Sequence, residues 1–244
     1  MLFLETYDLW RNPALNDRLK ETGRQIRTYR LALGLSLQEF AAKIHKSKAS
    51  VSKYENGLIS IDLATFYEIA GVLCVSPAKL MAAPTFSENG AEPGSRAIQQ
   101  YLYSYARKGS KITKSVLDHY TGAEGNVDVT FFYDVPAFDQ LEKCRGLYEG
   151  SMSKEGPILN YQFVNRRNST EHTFLCCMES LDNNGHSMGL LSSISYTTMT
   201  PNAIKVVLSD TQLAETEELR ELLLFNKEDI QRLKRDNMLT VERQ

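Results

Sequence analysis

Residues 46–57, KSKASVSKYENG, contain few apolar side chains, yet they have the spacing of a short helix with defined ends. Ser47 is placed as an N-cap, because its hydroxyl can accept a hydrogen bond from a backbone N–H of the first turn. Gly57 is placed after the last turn, where glycine commonly takes the left-handed conformation that ends a helix. Val51 and Tyr54 share one face. The opposite face is cationic and rich in hydrogen-bonding groups, which suits a helix that enters a groove.

The neighbouring segments predict a bundle of five short helices in residues 18–82. In residues 34–44, Ser36 and Glu39 have the spacing of a capping box. A longer helix over residues 19–33 precedes this segment, and two more helices follow the opening stretch, each with apolar residues three or four positions apart. The connections are short, so the five helices form one small domain.

The order and spacing of these residues resemble the phage-repressor, or XRE-type, helix-turn-helix family of DNA-binding domains over residues 19–82. The residues that carry the resemblance are Ile26, Arg27, Arg30, Gly34, Leu35, Ser36, Glu39, Phe40, Ala41, Ile44, Ser47, Val51, Ser52, Tyr54, Glu55, Asn56, Gly57, Ile69, Ala70, Val75 and Ser76. The resemblance implies that this part of the chain binds double-stranded DNA and that the protein regulates transcription.

The resemblance also implies roles for single residues, because residues 48–56 correspond to the recognition helix, whose first side chains face base edges in the major groove. The residues expected to read bases are Lys48, Ala49, Ser52 and Lys53. The residues expected to contact phosphates, which positions the protein without reading sequence, are Lys46, Ser47, Ser50 and Asn56. Arg30 and Glu55 resemble a buried ion pair that joins the first helix to the end of the third.

Two residues depart from the family pattern. His45 stands where the family usually has glycine at the turn between the two helices, and histidine tolerates a positive φ better than most residues. Leu37 stands where the family favours glutamine, which removes a phosphate contact commonly made from that position.

Charge is divided unevenly along the chain. Residues 18–82 hold 10 Lys and Arg against 5 Asp and Glu, a net charge of +5. Residues 83–244 hold 17 against 22, a net charge of −5, and the whole chain carries −2. A basic segment joined to an acidic one is expected when only one end of the protein meets nucleic acid.

The remaining chain predicts three further segments. Residues 1–17 form an arm whose apolar residues, Leu2, Leu4, Leu9 and Trp10, are expected to pack within a dimer. Residues 83–95 gather Pro, Gly, Ser and Asn and have the composition of a linker. No stretch approaches the ~20 apolar residues of a membrane span, and the first residues lack the basic start of a signal peptide. A cytoplasmic location is therefore expected, with the four cysteines reduced and buried.

Residues 96–244 predict a β-rich domain, so the fold class is a multidomain α+β protein. Residues 100–120 resemble a β-hairpin, and about eight short strands at regular spacing are typical of an antiparallel β-sandwich or a small β-barrel. Residues 135–144 are expected to form one helix across its end. Two terminal helices follow the last strand, the second of them capped by Asn226.

Two roles for this β-rich domain stay open. A closed eight-stranded barrel can hold one small ligand, and the rings of Tyr101, Tyr103, Tyr105, Phe131 and Tyr133 are candidates to line such a cavity. The alternative is that these rings simply fill a core. The other role is dimerisation or binding of a protein partner, since two operator half-sites require a two-fold symmetric protein.

An enzyme is the rival class, but no catalytic motif supports it. Asp118-His119 and Gly185-His186-Ser187 lack the context of a catalytic triad, and neither phosphate-binding loops nor metal-ligand spacings occur. No cofactor and no metal is therefore expected. An antitoxin that represses its own operon and binds a toxin is a further alternative. The sequence favours a homodimeric repressor, because occupying a promoter requires only binding.

Overall fold

The computed structural model describes residues 13–81, 97–105, 111–121, 125–179, 186–194 and 199–241. The chain divides into two compact units, Met1–Ala97 and Ile98–Gln244. The predicted linker and the apolar residues of the predicted arm lie outside the described residues. None of the helices that the structure describes has the length and apolar character needed to cross a membrane.

The first unit contains the five predicted helices. They are α1 (Pro13–Ala32), α2 (Leu37–Lys43), α3 (Lys48–Glu55), α4 (Leu63–Leu73) and α5 (Pro77–Met81). Helix α1 begins six residues before the predicted position, inside the segment interpreted as an arm, with Pro13 at its first position, where a missing N–H is tolerated. Side chains without solvent exposure from four helices meet in one core, namely Ile26, Tyr29, Phe40, Ile44, Val51, Ile69 and Leu73.

The start of α2 has the predicted capping box. The Glu39 backbone N–H donates to Ser36 Oγ at 3.2 Å, and the Ser36 backbone N–H donates to Glu39 Oε2 at 2.8 Å. These two bonds satisfy N–H groups that have no partner within the helix. They also lower the pKa of the Glu39 carboxyl, since both the Ser36 side chain and its backbone favour the charged form.

The second unit is a closed antiparallel barrel, which decides between the two architectures left open by the sequence. Its strands are β1 (Ala97–Ser104), β2 (Thr113–Thr121), β3 (Val127–Tyr133), β4 (Gly146–Glu155), β5 (Ile158–Asn165), β6 (His172–Met178), β7 (His186–Ile194) and β8 (Pro201–Ser209). Each strand pairs with the next along the chain, and β8 closes the barrel on β1, with Tyr101 opposite Ser209.

Alternate residues of each strand point into the barrel, as the period of two requires. The barrel core is formed by Leu102, Leu117, Val129, Phe131, Tyr148, Leu159, Tyr161, Phe163, Leu175, Cys177, Leu191, Val206 and Leu208. Cys177 belongs to this core and its neighbour Cys176 is exposed, so the two thiols lie on opposite faces of β6. All four cysteines lie in described segments, and none of them forms a disulfide. The prediction that all four are buried is wrong for Cys74 and Cys176, which are exposed.

Two helices follow the barrel, α6 (Glu217–Leu223) and α7 (Lys227–Asp236). Asn226 caps α7 as predicted, because its Oδ1 accepts from the Asp229 backbone N–H at 2.8 Å. Asp229 also accepts from Lys205 Nζ on β8 at 3.3 Å, and both side chains are about 95% buried. This buried pair joins α7 to the outer surface of the barrel.

The helix predicted over residues 135–144 is wrong: only Leu141–Lys143 is helical, as a single 3-10 turn. Pro136 lacks a backbone N–H, and the Val135 N–H donates to the Lys114 carbonyl at 2.8 Å, so this segment begins as an extension of the sheet. Phe138 then packs edge-on against the ring of Tyr101, 4.8 Å between centroids. These contacts hold the segment against β1 in an irregular conformation.

Candidate nucleic-acid interface

Helix α3 is held against α1 by a very close backbone approach at its C-terminal end. A Cβ added to Gly23 of α1 would lie 2.4 Å from the Tyr54 carbonyl oxygen and 2.7 Å from that of Glu55. Gly57 ends the helix with φ +64°, as predicted, and a Cβ there would lie 2.6 Å from the backbone N and Cα of Lys20. The position and the end point of α3 therefore depend on two glycines.

A buried ion pair fixes the same end of α3. Arg30 Nε donates to Glu55 Oε1 at 2.5 Å, and Arg30 Nη2 donates to Glu55 Oε2 at 3.0 Å, in the bidentate geometry that strengthens such pairs. Arg30 Nη1 also donates to the Leu35 carbonyl at 2.7 Å. The structure thus places the two residues in contact as the resemblance implies, and it adds the loop before α2 as a third partner.

The turn between α2 and α3 is sharp and capped. His45 has φ +50°, which confirms the left-handed conformation predicted for this position. Ser47 Oγ accepts from the Ser50 backbone N–H at 3.0 Å and lies 2.9 Å from Ser50 Oγ. Ser47 is therefore engaged at the start of the helix, where the exposed backbone N–H groups and the helix dipole favour an anion.

The residues of α3 divide cleanly between a buried and an outer face. Val51, Tyr54 and Glu55 face the core. The four predicted base-reading residues lie on the other side: Lys48, Ala49 and Lys53 are exposed and Ser52 is half-buried. The structure therefore brings the four together on one outer surface of α3.

The predicted phosphate contacts lie at the two ends of this surface. Lys46, Ser47 and Ser50 surround the start of α3, and the exposed Asn56 lies at its end. Asn56 Nδ2 donates to the Ser52 carbonyl at 2.7 Å, which leaves its second amide hydrogen and its oxygen for other partners. Lysine ammonium and serine hydroxyl groups therefore lie along the outer side of α3.

In the second unit, the five predicted cavity rings do not line one cavity. Phe131 belongs to the barrel core and Tyr133 packs against it. Leu102 also belongs to that core, so its neighbours Tyr101 and Tyr103 point to the opposite face of β1, where both rings contact Phe138. Tyr105 follows the end of β1.

Polar groups that were not among the predicted site residues lie at one end of the barrel interior. His119 Nδ1 lies 3.0 Å from the Ile98 carbonyl oxygen, and His119 Nε2 lies 3.3 Å from the Tyr161 hydroxyl. That hydroxyl donates to Gln100 Oε1 at 3.1 Å. Burial lowers the pKa of His119 and raises the pKa of Tyr161. Asp118 lies on the opposite face of β2, so it does not pair with His119 there.

A second polar group lies at the other end. Glu171 accepts from the Tyr148 hydroxyl at 2.6 Å and from Asn165 Nδ2 at 2.8 Å, and all three side chains are buried. Thr173, 2% exposed, has a hydroxyl with no hydrogen-bond partner among the described residues. Among the described residues, no three His, Cys, Asp or Glu side chains are grouped to hold a metal ion.

Comparison with known proteins bears on the helical unit. Residues 26–80 match the Helix-turn-helix protein family. The segment is therefore a helix-turn-helix domain of the XRE type, and the match indicates a DNA-binding regulator. No curated protein matches the chain.

Among solved structures, the chain is similar to Streptomyces albus HEPD with substrate 2-hydroxyethylphosphonate and Fe(II) bound. The two chains are 13% identical with a TM-score of 0.27, and the similarity covers 92% of this chain and 50% of the other. The chain thus spans about half the length of that structure. A likeness this weak carries no argument about activity.

Proposed function

We propose that the protein is a sequence-specific transcriptional repressor that binds its operator as a homodimer in the cytoplasm. The observation that carries the proposal is the outer face of α3, where Lys48, Ala49, Ser52 and Lys53 are presented together by a helix whose inner face is anchored in the core. Lysine donates to guanine O6 and N7, and the alanine methyl contacts the thymine methyl.

The arrangement of charge supports the same assignment. The helix-turn-helix segment carries a net charge of +5 and the chain beyond it −5, from the counts given above. Phosphate binding releases counterions from DNA and depends on cations, so the basic unit provides affinity and the acidic unit avoids non-specific binding. Lys46, Ser47, Ser50 and Asn56 are positioned to contact phosphates on either side of the base-reading residues.

The barrel serves this regulator as a non-catalytic module that assembles the dimer or senses an effector. Repression follows from the simplest use of such a protein, since a dimer on a promoter blocks it by occupancy. Two-fold symmetry matches a palindromic operator with half-sites about one helical turn, ~10 bp, apart.

The test is the double variant Lys48→Ala with Lys53→Ala in the full-length chain. Each good base contact contributes about 1–3 kcal/mol of discrimination, so operator affinity falls roughly 30-fold or more while the fold is retained. The matched control removes two exposed lysines from α7, Lys227→Ala with Lys234→Ala, and leaves operator binding unchanged. Equal operator binding by parent and α3 variant, measured by fluorescence anisotropy, would refute the assignment of these lysines.

A further inference from the structure

The outer surface of strands β5, β6 and β7 carries an uncharged group of apolar side chains, where a solvated sheet face is ordinarily polar and charged. In β6, outward and inward residues alternate without exception, and the outward side chains include Phe174, Cys176 and Met178. Phe174 is 51% exposed and Met178 is 39% exposed. Exposed large apolar side chains that share one face of a strand mark a candidate interaction site.

The neighbouring strands extend this surface, which we call the β5–β7 face. Met178 lies between Ile158 of β5 and Met188 of β7, and Cys176 lies between Asn160 of β5 and Leu190 of β7. The outward positions of the three strands contain no Asp, Glu, Lys or Arg, in a chain that is 24% charged. Most of these positions hold apolar residues or cysteine, and the polar ones are Asn160, Gln162, His172, His186 and Ser192. Interface cores have this composition, poor in charge and rich in Phe and Met.

We infer that the β5–β7 face is the dimer interface and that its occupant is the same face of a second copy of this chain. The inference rests on the proposed function, because a palindromic operator requires a two-fold symmetric protein. In a two-fold interface each patch meets itself. A face of one charge would repel its copy, whereas an uncharged apolar face is complementary to itself.

The size of the face fits this role. Strands of seven to nine residues, at ~3.3 Å per residue and ~4.8 Å between strands, give a footprint of roughly 25 by 14 Å. A stable interface buries about 800 Å² on each partner, with an apolar core inside a polar rim. This footprint, about 350 Å², is under half of that area, so the β5–β7 face supplies the central part of the interface. Flanking outward residues, among them Ser151 and Ser153 of β4, supply the polar rim.

The direct test is the mass of the full-length protein in solution, measured by sedimentation or light scattering. The parent is a dimer, and Met178→Glu or Phe174→Glu converts it to a monomer with an unchanged circular dichroism spectrum. The matched control is Met238→Glu, which places the same charge at a residue 59% exposed outside the face and leaves the dimer intact.

Cys176 provides a second readout that does not depend on a destabilising charge. In a Cys74→Ser background the other two thiols, Cys144 and Cys177, are buried, and burial raises the pKa of each, so neither reacts readily. A dimer formed through the β5–β7 face covers Cys176, so a monofunctional maleimide modifies this thiol more slowly at concentrations where the protein is dimeric than after dilution to the monomer. A Cys176 that is modified at the same rate in the dimer and in the monomer overturns the inference.

The outcomes separate this inference from the proposed function. A parent that is monomeric, or a Met178→Glu variant that stays dimeric, overturns the assignment of the face even if the operator is bound. A monomeric variant that binds a single half-site, with affinity for the full operator lowered roughly 10²-fold by loss of the second domain, supports both. Failure of the dimeric parent to select any DNA sequence contradicts the proposed function and leaves the interface standing.

Discussion

Replacing Glu55 by glutamine leaves the Arg30 guanidinium buried beside a neutral amide. The side chains of the pair are 7% and 4% exposed, so water does not replace the lost charge. Breaking a buried pair by removing one partner destabilises a protein by roughly 3–5 kcal/mol. This is a large fraction of the ~5–15 kcal/mol by which a domain is stable.

Glu21→Gln is the matched control on the surface of α1. Glu21 and Arg24 also form an Arg–Glu pair, at 2.6 Å, but their side chains are 27% and 53% exposed. Exposed pairs contribute about 0–1 kcal/mol, so this variant is close to the parent. Urea unfolding followed by the helical circular dichroism signal measures both, because five of the seven described helices lie in the first unit.

A double-mutant cycle completes the experiment. Arg30→Met alone leaves the Glu55 carboxylate without its cation, and Glu55→Leu alone leaves the Arg30 guanidinium without its anion. Arg30→Met with Glu55→Leu removes both charges. The double variant is therefore less destabilised than the sum of the single variants. A free energy of unfolding for Glu55→Gln equal to that of Glu21→Gln would refute the claim that this pair anchors α3.

Three further predictions concern backbone, cap and pH. In urea unfolding, Gly57→Ala destabilises the first unit by more than Gly34→Ala does. Both glycines have a positive φ, a conformation that costs any other residue about 1–2 kcal/mol. Only at Gly57 would the added Cβ also clash with backbone atoms, those of Lys20. Ser47→Ala removes the α3 cap and costs about 1 kcal/mol in the same assay. Burial lowers the pKa of His119 in the folded barrel, so the imidazole binds a proton more readily in the unfolded chain than in the folded one. The barrel therefore loses stability as pH falls through about 6.5. His119→Gln reduces this loss in melting temperatures compared above and below that pH.

The helical unit was predictable because its signals are local. Caps at Ser36 and Ser47, and glycine at position 57, mark helix ends through contacts within a few residues, and the apolar spacing of α3 separates its inner face from its outer face. The close approach of Gly23 to α3 carries no such signal, since a glycine within a helical pattern does not indicate which backbone it meets.

The barrel was only partly predictable because its closure is not local. Tyr101 pairs with Ser209, more than one hundred positions later, and it is this pairing that excludes the open sandwich. Alternation along β1 was correctly read as a strand, but it does not decide which face is inside. Leu102 is buried in the barrel core, whereas Tyr103 is buried on the outer face of β1 against Phe138. The prediction that Tyr101 and Tyr103 line the barrel interior therefore chose the wrong face of β1.

The central claim is that the outer face of α3 reads a two-fold symmetric DNA site. Selection from random double-stranded DNA with the full-length protein, followed by a salt series on the enriched site, tests it most directly. We expect a palindrome with half-sites about one helical turn, ~10 bp, apart and an affinity that falls steeply with salt. A selection that enriches no sequence, or an affinity independent of salt, would contradict it.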